Sequence, residues 1–241
     1  MVSKVRLFVD HPLGNALSVP LTRDQAHYLF GVMRLAVGTV LSVINGADGE
    51  WDAEVVEVGK KNGVLLCQTR TKKLQMPPDV WLLFAPIRKE RTAFIVEKAT
   101  ELGVARIMPI KTEYTNNADR LRIDKLRAHA LEATEQCGGT YVPPVDDLEK
   151  ISKILDDWDA TRRIMFCDET LLGQVSVLTA EVVGPWAIMI GPEGGFSDKE
   201  RTRLRGMSCA YPVSLGPRIL RADTAAVAAL TLWQNTMGDW R

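Results

Sequence analysis

Two segments in the last quarter of the chain hold residue types on which a reaction can be built. In the first, residues 187–197 (AIMIGPEGGFS), a buried-strand pattern runs into glycines and a proline and then into a helix start, where Ser197 and Glu200 form a capping box. Glycines at such a place let backbone approach a ligand closely, and a helix start offers unpaired N–H groups. The spacing is not the GxGxxG dinucleotide fingerprint, and the Lys-Ser/Thr pair of a phosphate-binding P-loop is missing. The second segment, residues 211–224 (YPVSLGPRILRADT), leads into the small-residue run AAVAAL. Ile219 and Leu220 could wall an apolar base pocket, and Arg221 and Asp223 stand at a helix entrance with Asp223 a candidate N-cap. On the plainer view, Arg221 makes a surface salt bridge and Asp223 only caps.

The elements that must position these segments fall into two groups. Over residues 1–73, the patterns at 5–9, 39–44, 51–58 and 64–69 predict strands separated by Asn45-Gly46, Asp48-Gly49 and Asn62-Gly63 turns, with one short helix over 22–29. This describes a small barrel-like unit. A basic linker, Arg70-Thr71-Lys72-Lys73, leads to Pro77-Pro78 and a change of pattern over residues 74–241. Continuous apolar runs at 80–85, 106–110, 163–167 and 186–190 suit strands covered on both faces, and helical patterns span 90–102 and 120–136. Strands alternating with helices predict an α/β domain with a mainly parallel sheet.

Composition sets outer bounds. The 241 residues are 46% hydrophobic and 25% charged, ordinary for a globular chain and long enough to bury a core without metal or disulfide staples. Thirty Lys and Arg balance thirty Asp and Glu, which argues against a wholesale nucleic-acid wrapper. The charge is uneven, however: residues 86–127 hold ten basic and six acidic side chains, and residues 146–169 hold eight acidic and four basic. The four cysteines form no CxxC pair and the three histidines lie far apart, so no metal centre is expected. The opening MVSKVRLFVD lacks the apolar core of a signal peptide, and no apolar run nears the roughly 18 residues of a membrane span. A soluble cytoplasmic protein is expected.

Taken together, these motifs resemble the RsmE family of bacterial 16S ribosomal RNA uridine N3-methyltransferases, in the SPOUT superfamily. The likeness runs over nearly the whole chain: Arg23, His27, Val32-Met33-Arg34 and Gly38; Lys89, the run EKATELG at 97–103 and Pro109; Glu132-Ala133, Glu135-Gln136-Cys137 and Val142-Pro143; and, most specific, IGPEGGFS with SLGPRILRADTA. The resemblance implies a PUA-like β-barrel domain that holds RNA over 1–73. It implies a SPOUT α/β methyltransferase domain with a C-terminal deep trefoil knot over 74–241, a topology pattern rules alone do not predict.

It further implies a homodimer that binds S-adenosylmethionine. The cradle would be Ile190, Gly191, Pro192, Glu193, Gly194 and Gly195 with Leu215, Gly216, Arg218, Ile219 and Leu220, and Phe84, Ala85 and Pro86 would form its third wall. The target would be one uridine of 16S ribosomal RNA, on the assembled small subunit, with no DNA, membrane or metal involved. Uridine N3 holds its proton at neutral pH, so the proton must be removed and charge on the uracil oxygens stabilised. Arg221 is the candidate for the second task; Asp223 or Glu193 would take the proton or hold Arg221. RNA contacts would come from Arg23, His27, Arg34, Lys89 and Lys98, with Arg88 and Arg91 read equally well as surface charge. The chain departs from the family pattern at Asp223, where glutamate is common, and lacks arginines that are frequent near Tyr114 and near Gly139 or Tyr141. Two other functions fit the same fold: methylation at another RNA position, including the ribose 2′-oxygen, and a non-catalytic RNA-binding ribosome-assembly factor.

Overall fold

In the computed structural model, residues 5–116, 121–171, 173 and 184–240 are described. The chain divides into two compact units, residues 1–76 with 134–142, and residues 77–133 with 143–241.

In the first unit, β1 (Arg6–Phe8), β2 (Ser18–Pro20), β3 (Val40–Ile44), β4 (Glu50–Val58) and β5 (Gly63–Lys72) form one sheet in the order β1-β3-β4-β5-β2. Only the β1–β3 pair is parallel. Three register shifts between β4 and β5 curl the sheet around a core that includes Val19, Leu29, Leu41, Val43, Ala53, Val55 and Leu65. The short helix α1 (Arg23–Ala26) starts at a capping box between Thr22 and Gln25 and continues as a π-helical turn, His27–Val32, so the helical segment runs past the expected 22–29. Arg34 follows in the left-handed region at φ 56°.

Residues 134–142, which the sequence pattern places with the second domain, belong to this first unit. Arg6 holds them: its guanidinium donates to the carbonyls of Thr134 and Glu135 at 2.8 Å, to Gly139 at 2.7 Å and to the Glu50 carboxylate at 2.9 Å. The Glu50 side chain is only 9% exposed.

The second unit contains a six-stranded sheet built from β6 (Val80–Phe84), β7 (Arg106–Lys111), β8 (Glu149–Lys150), β9 (Arg163–Cys167), β10 (Trp186–Ile190) and β11 (Ala210–Val213). Its order is β11-β9-β10-β6-β7-β8 and every pair is parallel. Successive residues of the apolar runs point to opposite faces. Leu82, Phe84, Ile188 and Ile190 enter one core with α2 (Lys89–Glu101), α3 (Ile123–Cys137) and α6 (Ala222–Met237). Leu83, Ala85, Ala187 and Met189 enter the other, with α4 (Ile151–Asp156) and α5 (Asp198–Arg205). After β11 the chain returns so that α6 packs against α2 and β10, and the buried Gln234 amide donates to the Leu102 carbonyl beyond the end of α2. The helix expected over 120–136 begins at Ile123; residue 120 lies outside the described residues. No described helix is long and apolar enough to cross a membrane.

Burial pushes the Glu50 carboxyl upward, but the Arg6 charge, hydrogen bonds from Ser42 and Arg6, and the Lys72 charge outweigh it and leave the group below its ordinary 4.5. Stability from a depressed carboxyl is present above the ordinary value and is lost as pH falls through the lowered one. Urea unfolding followed by tryptophan fluorescence is therefore expected to show stability dropping on acidification below about pH 4.5. Glu50→Gln is expected to cost about 3 kcal/mol at neutral pH, because it leaves the Arg6 charge buried beside a neutral partner, and to flatten that acid dependence.

Candidate active site

Because β9 lies between β10 and β11, the loops that leave those two outer strands both close over the C-terminal end of β9. They enclose a cavity of about 200 Å³. Its walls contain Ile190, Gly191, Pro192, Glu193 and Gly195 after β10, and Leu215, Gly216, Arg218, Ile219, Leu220 and Arg221 after β11. Gly194, also expected in the cradle, faces Tyr114 instead. The third wall is Cys167, Asp168 and Glu169 at the end of β9. Phe84, Ala85 and Pro86 are buried at the end of β6, on the far side of β10, where the Ala85 amide donates to the Ile190 carbonyl at 3.0 Å. They are not among the residues that line this cavity. Val213, Ser214, Ala222 and Ala225 complete the lining. Cys167, Asp168 and Glu169 carry no local sequence signal, since strand order in the sheet selects them, whereas Val213, Ser214, Ala222 and Ala225 lie in the second motif segment and the small-residue run that follows it.

Two positions require glycine. Gly195 sits at φ 68°, and a Cβ there would lie 2.0 Å from a Glu169 carboxylate oxygen. Gly216 sits at φ 112° with open space around the added atom, so its demand is conformational only. The helix start beyond the first loop is the expected capping box: the Ser197 amide donates to Glu200 at 2.9 Å and the Glu200 amide to Ser197 Oγ at 3.4 Å.

Both carboxylates at the end of β9 are matched by arginines of α5. The fully buried Asp168 side chain accepts from Arg205 at 2.5 Å and from the Thr170 hydroxyl at 2.8 Å. Glu169 accepts from Arg201 at 3.0 Å, and Arg201 also reaches the Phe196 carbonyl. Burial pushes the Cys167 thiol up to about 12, so it faces the cavity as a neutral apolar group.

Of the groups expected to do chemistry, Arg221 and Glu193 are exposed at the cavity rim and neither side chain makes a hydrogen bond or ion pair to another described residue. Asp223 is placed differently. Arg221, with extended backbone, occupies the N-cap of α6, and Asp223 lies inside the first turn. One Asp223 oxygen accepts from Arg91 at 2.7 Å and the other from the Thr224 amide at 3.0 Å. Arg91, not Arg221, is its partner.

Among the residues expected to meet RNA, Arg23 and His27 are exposed one helical turn apart and Arg34 follows them in the same unit. Lys89 is exposed in the first turn of α2. Lys98 is committed to its own helix surface, 2.7 Å from Glu101 and over the Phe94 ring.

Residues 74–234 match the RNA methyltransferase domain family, and residues 21–66 match the RNA methyltransferase PUA domain family. The class is thus an RNA methyltransferase, with a PUA-like β-barrel followed by a SPOUT α/β domain and its C-terminal trefoil knot. Over 230 residues the chain is 30% identical to the ribosomal RNA small subunit methyltransferase E of Rickettsia conorii, covering 93% of each chain. On these grounds the chain belongs to the ribosomal RNA small subunit methyltransferase E family. A putative methyltransferase from Legionella pneumophila, solved in complex with S-adenosylmethionine, has 26% identity and a TM-score of 0.87, covering 99% of this chain and 100% of that one. The Neisseria gonorrhoeae methyltransferase E shares the fold at a TM-score of 0.89 and 23% identity, with the same coverage.

Replacing Gly195 by alanine is expected to destabilise the protein in two separable ways. A left-handed non-glycine residue costs about 1–2 kcal/mol, and the new methyl displaces Glu169 from Arg201. In a double-mutant cycle with Glu169→Ala, denaturant midpoints are expected to show a coupling of about 1 kcal/mol, with the conformational cost persisting in the double variant.

Proposed function

We propose that this chain transfers the methyl group of S-adenosylmethionine to N3 of a single uridine in 16S ribosomal RNA, acting in the cytoplasm as a homodimer on the assembled small subunit. One observation carries the reading: two left-handed glycines and three strand ends enclose a cavity at whose rim Arg221 and Glu193 stand exposed. The walls suit the cofactor. Ile190, Leu215 and Leu220 offer apolar surface, and the two loops offer backbone groups at close approach. When bound, the cofactor supplies a methyl group already activated by its sulfonium, so no metal is called for.

The side chains then divide the remaining work. N3 lies on the pairing edge of the base, so the uridine must be unpaired or extruded before it reaches the rim. Glu193 takes the N3 proton, because its carboxylate is uncommitted among the described residues, whereas both Asp223 oxygens are occupied. The guanidinium of Arg221, whose backbone occupies the N-cap of α6, stabilises the negative charge left on the uracil oxygens as the N3–H bond breaks. The Asp223–Arg91 ion pair fastens the first turn of α6 to α2 and so positions Arg221. The second copy in the dimer covers Ile219, which one chain leaves 78% exposed at the cavity mouth. Arg23, His27, Arg34 and Lys89 provide exposed donors for RNA phosphates.

The decisive experiment is methyl transfer from labelled S-adenosylmethionine to unmodified small subunits and to naked 16S RNA, with the product nucleoside identified by mass spectrometry. 3-Methyluridine at one site is expected, and a 2′-O-methylated product or no transfer overturns the reading. Arg221→Ala and Glu193→Gln are each expected to lower kcat about 100-fold at saturating cofactor.

A further inference from the structure

The turn after β7 presents an aromatic side chain against the glycine loop of the cavity. Tyr114 is 45% exposed, and a Cβ placed on Gly194 would meet the Tyr114 Cβ at 3.2 Å and the edge of its ring at 3.6 Å. Tyr114 therefore stands beside the residue between two members of the cavity wall, Glu193 and Gly195, and leaves that residue little room for a side chain.

The turn is rigidly held. The Thr112 amide donates to the Thr115 hydroxyl at 2.8 Å, and the Thr115 amide returns to the Thr112 carbonyl at 3.2 Å. The Glu113 amide donates to Glu200 at 2.8 Å, and Glu200 is itself fixed by the capping box of α5. On its other side, the same turn borders a cleft of about 470 Å³ whose lining carries Lys111, Lys150, Lys199 and Arg203 against the carboxylates of Glu113 and Glu200, with Arg203 paired to Asp156 at 2.7 Å. An exposed ring on a pinned turn, with the cavity loop on one side and a cleft bordered by three lysines on the other, matches what a single RNA strand needs at a modification site. Cations take the flanking phosphates, and an aromatic face replaces the stacking that the extruded base has lost.

We propose that Tyr114 is the platform on which the target uracil stacks when its uridine leaves the RNA helix. This rests on the methyltransferase function proposed above and adds a substrate-binding residue to it. Stacking needs the ring and not the hydroxyl, so phenylalanine substitutes and leucine does not.

The test compares wild type with Tyr114→Ala, Tyr114→Leu and Tyr114→Phe on unmodified small subunits, measuring kcat/KM for RNA and, separately, S-adenosylmethionine Kd by calorimetry. Ala and Leu are expected to lose roughly 10- to 100-fold in kcat/KM, Phe to stay within about threefold, and Kd to remain constant throughout. Full activity in Ala or Leu overturns the proposal. So does a cofactor Kd that weakens in step with activity, since Tyr114 would then merely support the glycine loop. Wild-type protein that binds cofactor but forms no 3-methyluridine defeats the underlying function and this inference with it; active wild type with active Ala and Leu variants defeats the inference alone.

Discussion

Parallel pairing of β9 with β10 on one side and β11 on the other is the constraint from which the site follows. The registers Ile164 with Ala187 and Ile164 with Ala210 bring the three strand ends to one level. A parallel strand cannot be followed by a tight hairpin to its neighbour, so the chain must leave each end through a loop and a crossover. Two of those loops contain the glycines, and both must pass over the end of β9. The cavity is the space that remains. Its bottom is made by the strand that contributed least to the sequence signal, and its lip by the loops that contributed most.

That division explains how much was legible beforehand. Apolar runs such as 80–85 and 186–190, glycine and proline punctuation, and the Ser197–Glu200 box are local, and the elements they announce are present at nearly the expected limits. Strand order is a property of the whole sheet. It puts Cys167, Asp168 and Glu169 in the lining of this cavity, since β6 and β9 flank β10 on opposite sides and the second glycine loop closes on the β9 side. The partner of Asp223 was invisible for the same reason: Arg91 lies far away in sequence on α2 and meets it only because α6 returns across that helix. Residues 134–142 show the converse. Residues 134–137 are the last turn of α3, and nothing local reveals that Arg6 claims the carbonyls of Thr134 and Glu135 for the first unit.

Carboxylates in both units are matched by arginines that also bond to backbone or side-chain oxygens: Glu50 by Arg6, Asp168 by Arg205, Glu169 by Arg201. Where such pairs are buried they contribute little net stability over apolar packing, but losing one member leaves a charge without compensation. At the end of β9 the cost of that loss would fall on the geometry of the ligand cavity, since α5 supplies both arginines and itself begins where the first glycine loop ends.

The thiol of Cys167 has a chemical consequence of its own. A sulfonium methyl donor alkylates soft nucleophiles, and a thiolate is the softest that a protein offers. Cys167 lines the cavity, yet burial pushes its thiol up to about 12, so it stays protonated at neutral pH. With the methyl donor in this cavity, as proposed above, the same burial that makes this wall a good apolar surface guards the protein against methylating itself.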